Sequence, residues 1–307
     1  MPKEVFGHDF EFLRKSELLT FEEIARLARI FVQAGVTKVR VTGGEPLVRR
    51  DVEQLIAMLD ELRPEGLRDL TLTTNGSLLA QKADGLRAAG LDRVTVSLDS
   101  LDDAVFQAMN DVRFPVARVL TSIDAALDAG LPVKVNMVVK RGANEGSIAD
   151  MAARFRDTGV VLRFIEYMDV GTTNGWRMDE VVPADEILAC IDEHWPLEAL
   201  DPLYPGEVAN RYRYTDGAGE IGLIASVTRP FCGACTRARV SAEGELYTCL
   251  FAAKGTDLRG PLREGAGDGE IARLLGGVWA RRFDRYSEIR GEETAGIARV
   301  EMSHIGG

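Results

Sequence analysis

The chain has 307 residues, enough to bury a sizeable core without disulfide staples. Hydrophobic residues make up 46% and charged residues 28%, a globular composition that excludes disorder. Asp and Glu number 48 against 37 Lys and Arg, a net charge of −11, which argues against a duplex-binding or anionic-membrane surface and requires a local basic pocket for any anionic ligand. No apolar run reaches the roughly 18 residues of a membrane span, and no apolar segment follows Met1 as a secretory signal would require. The four cysteines, Cys190, Cys232, Cys235 and Cys249, form no disulfide framework, and three of them cluster; a reducing, cytoplasmic location and metal chemistry are the expectation.

Apolar runs alternate with segments of helical period. Thr20-Phe21-Glu22-Glu23 is a capping box that opens a helix running to Ala34, with Gly35 as its stop. A first strand is predicted over 36–42. Asp51 caps a second helix, and further strands are predicted over 70–74, 93–98, 133–139 and 160–167. Between them lie helices over 77–89, from Pro115 to Gly130, and from Ser147 to Arg156. Strands this apolar point to a parallel sheet covered on both faces, open or closed into a barrel, with ligands at the C-terminal strand ends. After residue 170 the rhythm breaks: a loop at 171–175, a helix over 183–194, loop and short strands over 201–219, a hairpin over 237–250 turning at 242–244, and a last helix over 269–283.

Cys232-Gly-Ala-Cys235 is followed after thirteen residues by Cys249, on the returning arm of the hairpin. Three thiolates suit an iron–sulfur cluster with one open iron, whereas zinc would need a fourth ligand from Cys190 or a histidine; spacing leaves both open. Cys190, in an apolar helix pattern, reads as a core thiol. Arg229, Arg237 and Arg239 flank the trio as an anion pocket, although exposed hairpin arginines would look the same. On the strands, Thr42-Gly43-Gly44-Glu45-Pro46 offers free backbone groups and a carboxylate suited to a ligand ammonium. Lys38 with Arg40, Lys134 with Asn136, and Arg163, Glu166 and Met168 add polar and cationic groups around one mouth.

These residues carry a family likeness. TGGEPL-x-RRD at 42–51, RFIEYMDVG at 163–171 and FCGACTRAR at 231–239 resemble the radical-SAM GTP 3′,8-cyclases of molybdenum cofactor biosynthesis, and the likeness covers nearly the whole chain. The resemblance implies a partial (β/α) barrel lacking its first strand over 1–170, and a C-terminal α+β part over 171–307 that carries an auxiliary cluster. It implies S-adenosyl-L-methionine contacts at Gly44, Glu45, Ser97 and Met168. GTP contacts are implied at Arg40, Thr73, Lys134, Arg163, Arg237, Ala238 and Arg239, with Arg237 and Arg239 supporting catalysis. Cys232, Cys235 and Cys249 match the ligands of an auxiliary [4Fe–4S] cluster whose open iron binds guanine, and Gly306-Gly307 matches a tail that enters the active site. The implied reaction joins ribose C3′ of GTP to guanine C8 after hydrogen abstraction by a 5′-deoxyadenosyl radical. An electron donor, the enzyme of the next pterin-forming step and a second copy of the chain are the implied partners, with no nucleic acid and no membrane.

The sequence departs from the family in one respect. The CxxxCxxC that binds the SAM cluster, a second [4Fe–4S], is absent; the expectation is a start assigned too late, and a chain inactive as written. The alternatives are a non-catalytic remnant that binds one cluster and a nucleotide, or another radical-SAM enzyme with an auxiliary cluster.

Overall fold

Thr20 closes the N-terminus of the first helix from both sides. Its hydroxyl accepts from the Glu23 N–H at 3.2 Å while the Glu23 carboxylate accepts from the Thr20 N–H at 2.8 Å. The computed structural model describes residues 14, 16–110, 114–171, 174–290 and 299–306, without the side chains of 302 and 303; the first and last residues of the sequence motifs, Met1–Gly7 and Gly307, lie outside these. Helix α1 (Phe21–Gln33) is followed by β1 (Lys38–Val41), α2 (Val52–Asp60), β2 (Asp69–Thr74), α3 (Leu79–Ala88), β3 (Arg93–Ser97), α4 (Asp103–Asn110), α5 (Val116–Asp128), β4 (Val133–Val139), α6 (Ile148–Phe155) and β5 (Val161–Glu166). The later elements are α7 (Ala184–Asp192), β6 (Leu197–Leu200), β7 (Asn210–Tyr214), β8 (Glu220–Ile224), β9 (Arg239–Val240), β10 (Glu245–Tyr247), β11 (Thr256–Asp257), α8 (Arg259–Arg263), α9 (Asp268–Ala280) and α10 (Met302–Ile305).

Eight strands form one sheet in the order β1-β2-β3-β4-β5-β8-β7-β6. From β1 to β8 the neighbours are parallel; β7 and β6 add an antiparallel edge. This is the curved parallel sheet of a partial barrel, with β1 and β6 at its two edges. The sheet crosses the boundary expected at residue 170, because β8 pairs directly with β5. The hairpin after Cys235 forms the separate three-stranded sheet β11-β10-β9, with Gly244 at φ +91 in its turn. Two expected caps work differently. Asp51 adopts a left-handed conformation with no side-chain cap bond, and Ser147 instead pairs its hydroxyl with that of Ser100 at 2.9 Å. The sequence pattern does not bring out helix α4, which is eight residues long with Phe106 its one buried residue.

The expectation of strands apolar on both faces needs correction. In β4, Val133, Val135, Met137 and Val139 join the core, while Lys134 and Asn136 alternate onto the other face. Only one face of the sheet packs on helices; the concave face is polar. A smaller core joins Leu27 and Ile30 of α1 to Leu258, Leu262, Ile271 and Leu275 near the C-terminus.

Two buried carboxylates fasten the loops after β5. Glu166 accepts from the N–H groups of Ala184, Val227 and Thr228, each at 2.8 Å. Asp169 accepts from the Tyr286 hydroxyl at 2.6 Å, from Arg290 at 2.8 Å and from Arg299 at 2.9 Å. All three partners come from the last 22 residues of the chain, so this one carboxylate pins the C-terminal segment to the barrel. Neutralising it leaves two largely buried guanidiniums uncompensated. Asp169→Asn should therefore lower stability by about 3–5 kcal/mol, read as a lower urea midpoint.

Candidate functional site

The register of β1 to β5 puts one row of polar side chains on the concave face. Arg40 pairs in register with Thr71, Thr71 with Arg93, Thr95 with Lys134, and Asn136 with Arg163. Lys38 and Arg93 share Asp69, at 3.1 and 2.6 Å, and so neutralise it between them. The remaining cations face one another. Burial, then Arg93, holds Arg40 below its ordinary pKa; burial, then Arg40 and Arg93, does the same to Arg163. Burial, then Arg163, Arg93 and Lys38, pushes Lys134 down to about 8. Arg40 nevertheless meets solvent, so these groups line a wet cleft enclosed by protein.

The same face carries buried polar atoms with no protein partner. They are the hydroxyls of Thr71 and Thr73, the Asn136 carbonyl oxygen and Arg163 Nε. Buried polar groups are satisfied as a rule, so a row of orphans beside crowded cations marks a place for a polyanionic ligand with hydrogen-bonding groups. Lys38, Asp69 and Arg93 begin their strands, whereas a mouth at the C-terminal strand ends had been expected; the cationic row lies deeper in the lumen.

The C-terminal strand ends form a second, shallower layer. Gly43 and Gly44 follow β1, Ser97 ends β3, and Met168 follows β5, its carbonyl held by Asn174 at 3.0 Å. Glu45 serves the turn itself: it accepts from the Leu47 N–H at 3.0 Å, the Thr74 hydroxyl at 2.8 Å and the Asn75 N–H at 2.7 Å. Its carboxylate anchors the turn to the end of β2. The groups this turn leaves for a ligand are therefore the backbone atoms of Gly43, at φ +143, and Gly44.

The cysteine trio closes the other side. Cys232 and Cys235 flank a single helical turn, with the Cys235 N–H donating to the Cys232 carbonyl at 3.1 Å. All three thiols are half-buried and unbridged. They share an electrostatic neighbourhood, since Cys232 acts on Cys249, and Cys249 and Cys235 act on Arg239. Among the described residues the three sulfurs do not gather within 4.8 Å of one another. Donors also point at sulfur: Arg237 Nε lies 3.2 Å from Cys235 Sγ and the Phe251 N–H 3.4 Å from Cys249 Sγ. Burial alone would raise the Cys235 thiol, but Arg237 and Arg282 outweigh it and bring its pKa down to about 7. Cys190 packs on the main core from α7, as a structural thiol does.

The expected arginine pocket is reduced by one member. Arg229 turns outward to Asp185 of α7, at 2.5 Å and well exposed. Arg237 lies over Phe231 and against Cys235, and Ala238 is exposed. Arg239 donates to the Gly306 carbonyl at 3.3 Å, and Gly306 in turn lies against Thr42 and the Gly43 backbone. The tail thus bridges the cysteine hairpin and the glycine turn. Arg93 and Asp69 do not stand out in the sequence; each shares its strand face with a threonine two residues on, which is the available signal. At φ +72 and tight against Thr42, Gly306 has no room for a side chain. Gly306→Ala should cost about 1–2 kcal/mol locally and release the tail, seen as faster hydrogen exchange over 304–306.

Two family models match in succession: the Radical SAM superfamily over residues 5–155 and Molybdenum Cofactor Synthesis C over residues 160–288. A GTP 3′,8-cyclase from Acidothermus cellulolyticus is 52% identical over all of this chain and 91% of its own length. One from Staphylococcus saprophyticus is 47% identical with the same coverage. Streptococcus suis SuiB bound to S-adenosylmethionine superposes with a TM-score of 0.48 at 18% identity, over 61% of this chain and 41% of that one. With two layers of site residues on a partial barrel, a cysteine trio beside them, and identity of this order along its whole length, the chain belongs to the radical-SAM GTP 3′,8-cyclase family.

Proposed function

We propose that this chain binds GTP across its lumen as a member of the GTP 3′,8-cyclases that act in molybdenum cofactor biosynthesis; the cyclisation itself also needs the SAM-cluster cysteines, which are not among its four. The observation that carries this reading is the row of unpaired cations and orphaned polar atoms on β1, β2, β4 and β5, flanked by three cysteines. Arg40, Lys134 and Arg163 hold and neutralise the triphosphate, with Thr73 as a hydrogen-bonding partner and Arg237, Ala238 and Arg239 closing the cysteine side. The guanine then faces the cysteines. Cys232, Cys235 and Cys249 would hold a [4Fe–4S] cluster, which supplies an iron with one position open to a base heteroatom.

The glycine turn, Ser97 and Met168 line the place for S-adenosyl-L-methionine, above the nucleotide. The residues' work is positional: they fix ribose C3′ and guanine C8 within bonding reach and keep water from the reacting carbons. The four cysteines furnish one three-thiolate set, and the glycine turn has none beside it; a second cluster there has no ligands in this sequence. An electron donor and the next, pterin-forming enzyme are the partners this chemistry calls for. Residues 1–170 then serve chiefly the two small molecules, and residues 171–307 the cluster and the nucleotide.

Reconstituted without oxygen, the chain should take up about four irons, and Arg239→Ala should keep them while weakening GTP binding. Stoichiometric zinc without iron would overturn the cluster assignment. Lys134 gives a pH test. Its pKa in the empty protein is about 8, and phosphates beside it stabilise the charged form. GTP binding should take up a proton above pH 8 and weaken as pH rises, while no such uptake at Lys134 occurs near pH 6. Calorimetry in buffers of different ionisation enthalpy reads this directly, and Lys134→Ala should abolish the uptake.

A further inference from the structure

Glu243 stands in the turn between β9 and β10. Backbone bonds close this turn, from the Ser241 N–H to the Glu245 carbonyl at 2.9 Å and from the Gly244 N–H to the Ser241 carbonyl at 3.0 Å. The Glu243 side chain is largely buried: Oε1 stands 2.9 Å from His304 Nε2, and Oε2 has no hydrogen-bond partner among the described residues. The Glu245 carboxylate lies within 4.8 Å of both groups and accepts from the Tyr247 hydroxyl at 2.6 Å. His304 also meets the Tyr247 ring edge-on, at 6.4 Å between centroids.

These contacts fall beside Arg239. Tyr247 is its register partner across the β9–β10 pair, so both side chains rise from one face of the hairpin. His304 docks at Tyr247 and the turn, and two residues later the Gly306 carbonyl accepts from Arg239 Nε at 3.3 Å. Ile305 between them is buried, which leaves the tail little slack. A carbonyl is a neutral acceptor: it fixes the direction of the guanidinium without cancelling its charge. Among the described residues no acceptor meets the two Nη groups of Arg239. Glu243 and Glu245 repel one another, and His304 is the one donor that the described residues offer to the Glu243 carboxylate.

We propose that Glu243 and His304 form a latch that positions Arg239: they seat the tail on the hairpin so that the Gly306 carbonyl holds Nε and both Nη groups are kept for an anionic ligand. Neither residue touches the nucleotide; each acts through the tail. This rests on the reading of Arg239 as part of the GTP site and adds to it the two residues that set its geometry. Losing the imidazole donor leaves a largely buried carboxylate beside a like charge, so the tail lifts from the turn and Arg239 loses its direction.

The test is calorimetric GTP binding to the iron-loaded chain without reductant, in a double-mutant cycle. His304→Ala should weaken GTP binding at least about threefold while iron uptake stays as in the parent. His304→Gln, whose amide N–H can replace Nε2 opposite Glu243, should restore the parent affinity. In an Arg239→Ala background, His304→Ala should cost nothing further, because the latch acts only through Arg239. Hydrogen exchange over 304–306 should quicken in His304→Ala and not in His304→Gln. Parent-like GTP binding by His304→Ala overturns the latch, as does a loss that simply adds to that of Arg239→Ala. Loss of iron in His304→Ala overturns it too, since the role would then be structural. If Arg239→Ala binds GTP as the parent does, or the parent does not bind GTP, the reading of the site falls and the latch with it; if Arg239→Ala weakens binding and His304→Ala does not, the latch alone falls.

Discussion

Everything in the lumen follows from positive charges held close together with too little acid to balance them. Two of the cations share Asp69, and the others depress one another. Such a row is stable only because the convex face of the same strands buries a large aliphatic core. The alternation of the pleat is therefore the device that joins stability to binding: one face supplies the free energy that lets the other remain electrostatically unfinished.

Around this row the carboxylates divide into two kinds. Glu45, Glu166 and Asp169 are saturated by protein donors and fix turns, a helix start and the C-terminal segment. Glu207 accepts one bond, from the Leu203 N–H at 2.7 Å within its own loop. The first kind builds the frame; the second holds only its own loop.

The sequence displays the strands well because their apolar residues are dense, and β4 is found with the bounds expected of it. It also displays the cysteine trio, the glycine turn, and Arg40, Lys134 and Arg163, since chemistry-bearing residues stand out at short spacing. It hides what depends on partners far along the chain. That Glu45 is spent on Thr74 and Asn75, or Arg229 on Asp185, is decided by contacts across 29, 30 and 44 residues. Strand β8 does not stand out in the sequence because Glu220–Ile224 is short and follows a loop-like stretch, yet its pairing with β5 extends the barrel. The depth of the cationic row was also invisible, because periodicity gives the face of a strand and not the height along it.

Helix α1 has a consequence for how the chain reaches this state. Its stripe of Leu27 and Ile30 packs with Leu19, with Leu246 of β10 and with residues of α8 and α9 and beside them, and Arg26 meets Asp268 across 242 positions. During synthesis the first helix emerges early, and its Leu27 and Ile30 side lacks its C-terminal cover until nearly the whole polypeptide has left the ribosome. Folding of this second core is posttranslational by geometry, slow by its sequence separation, and exposed to aggregation in the interval, which makes α1 the segment a chaperone has most reason to hold.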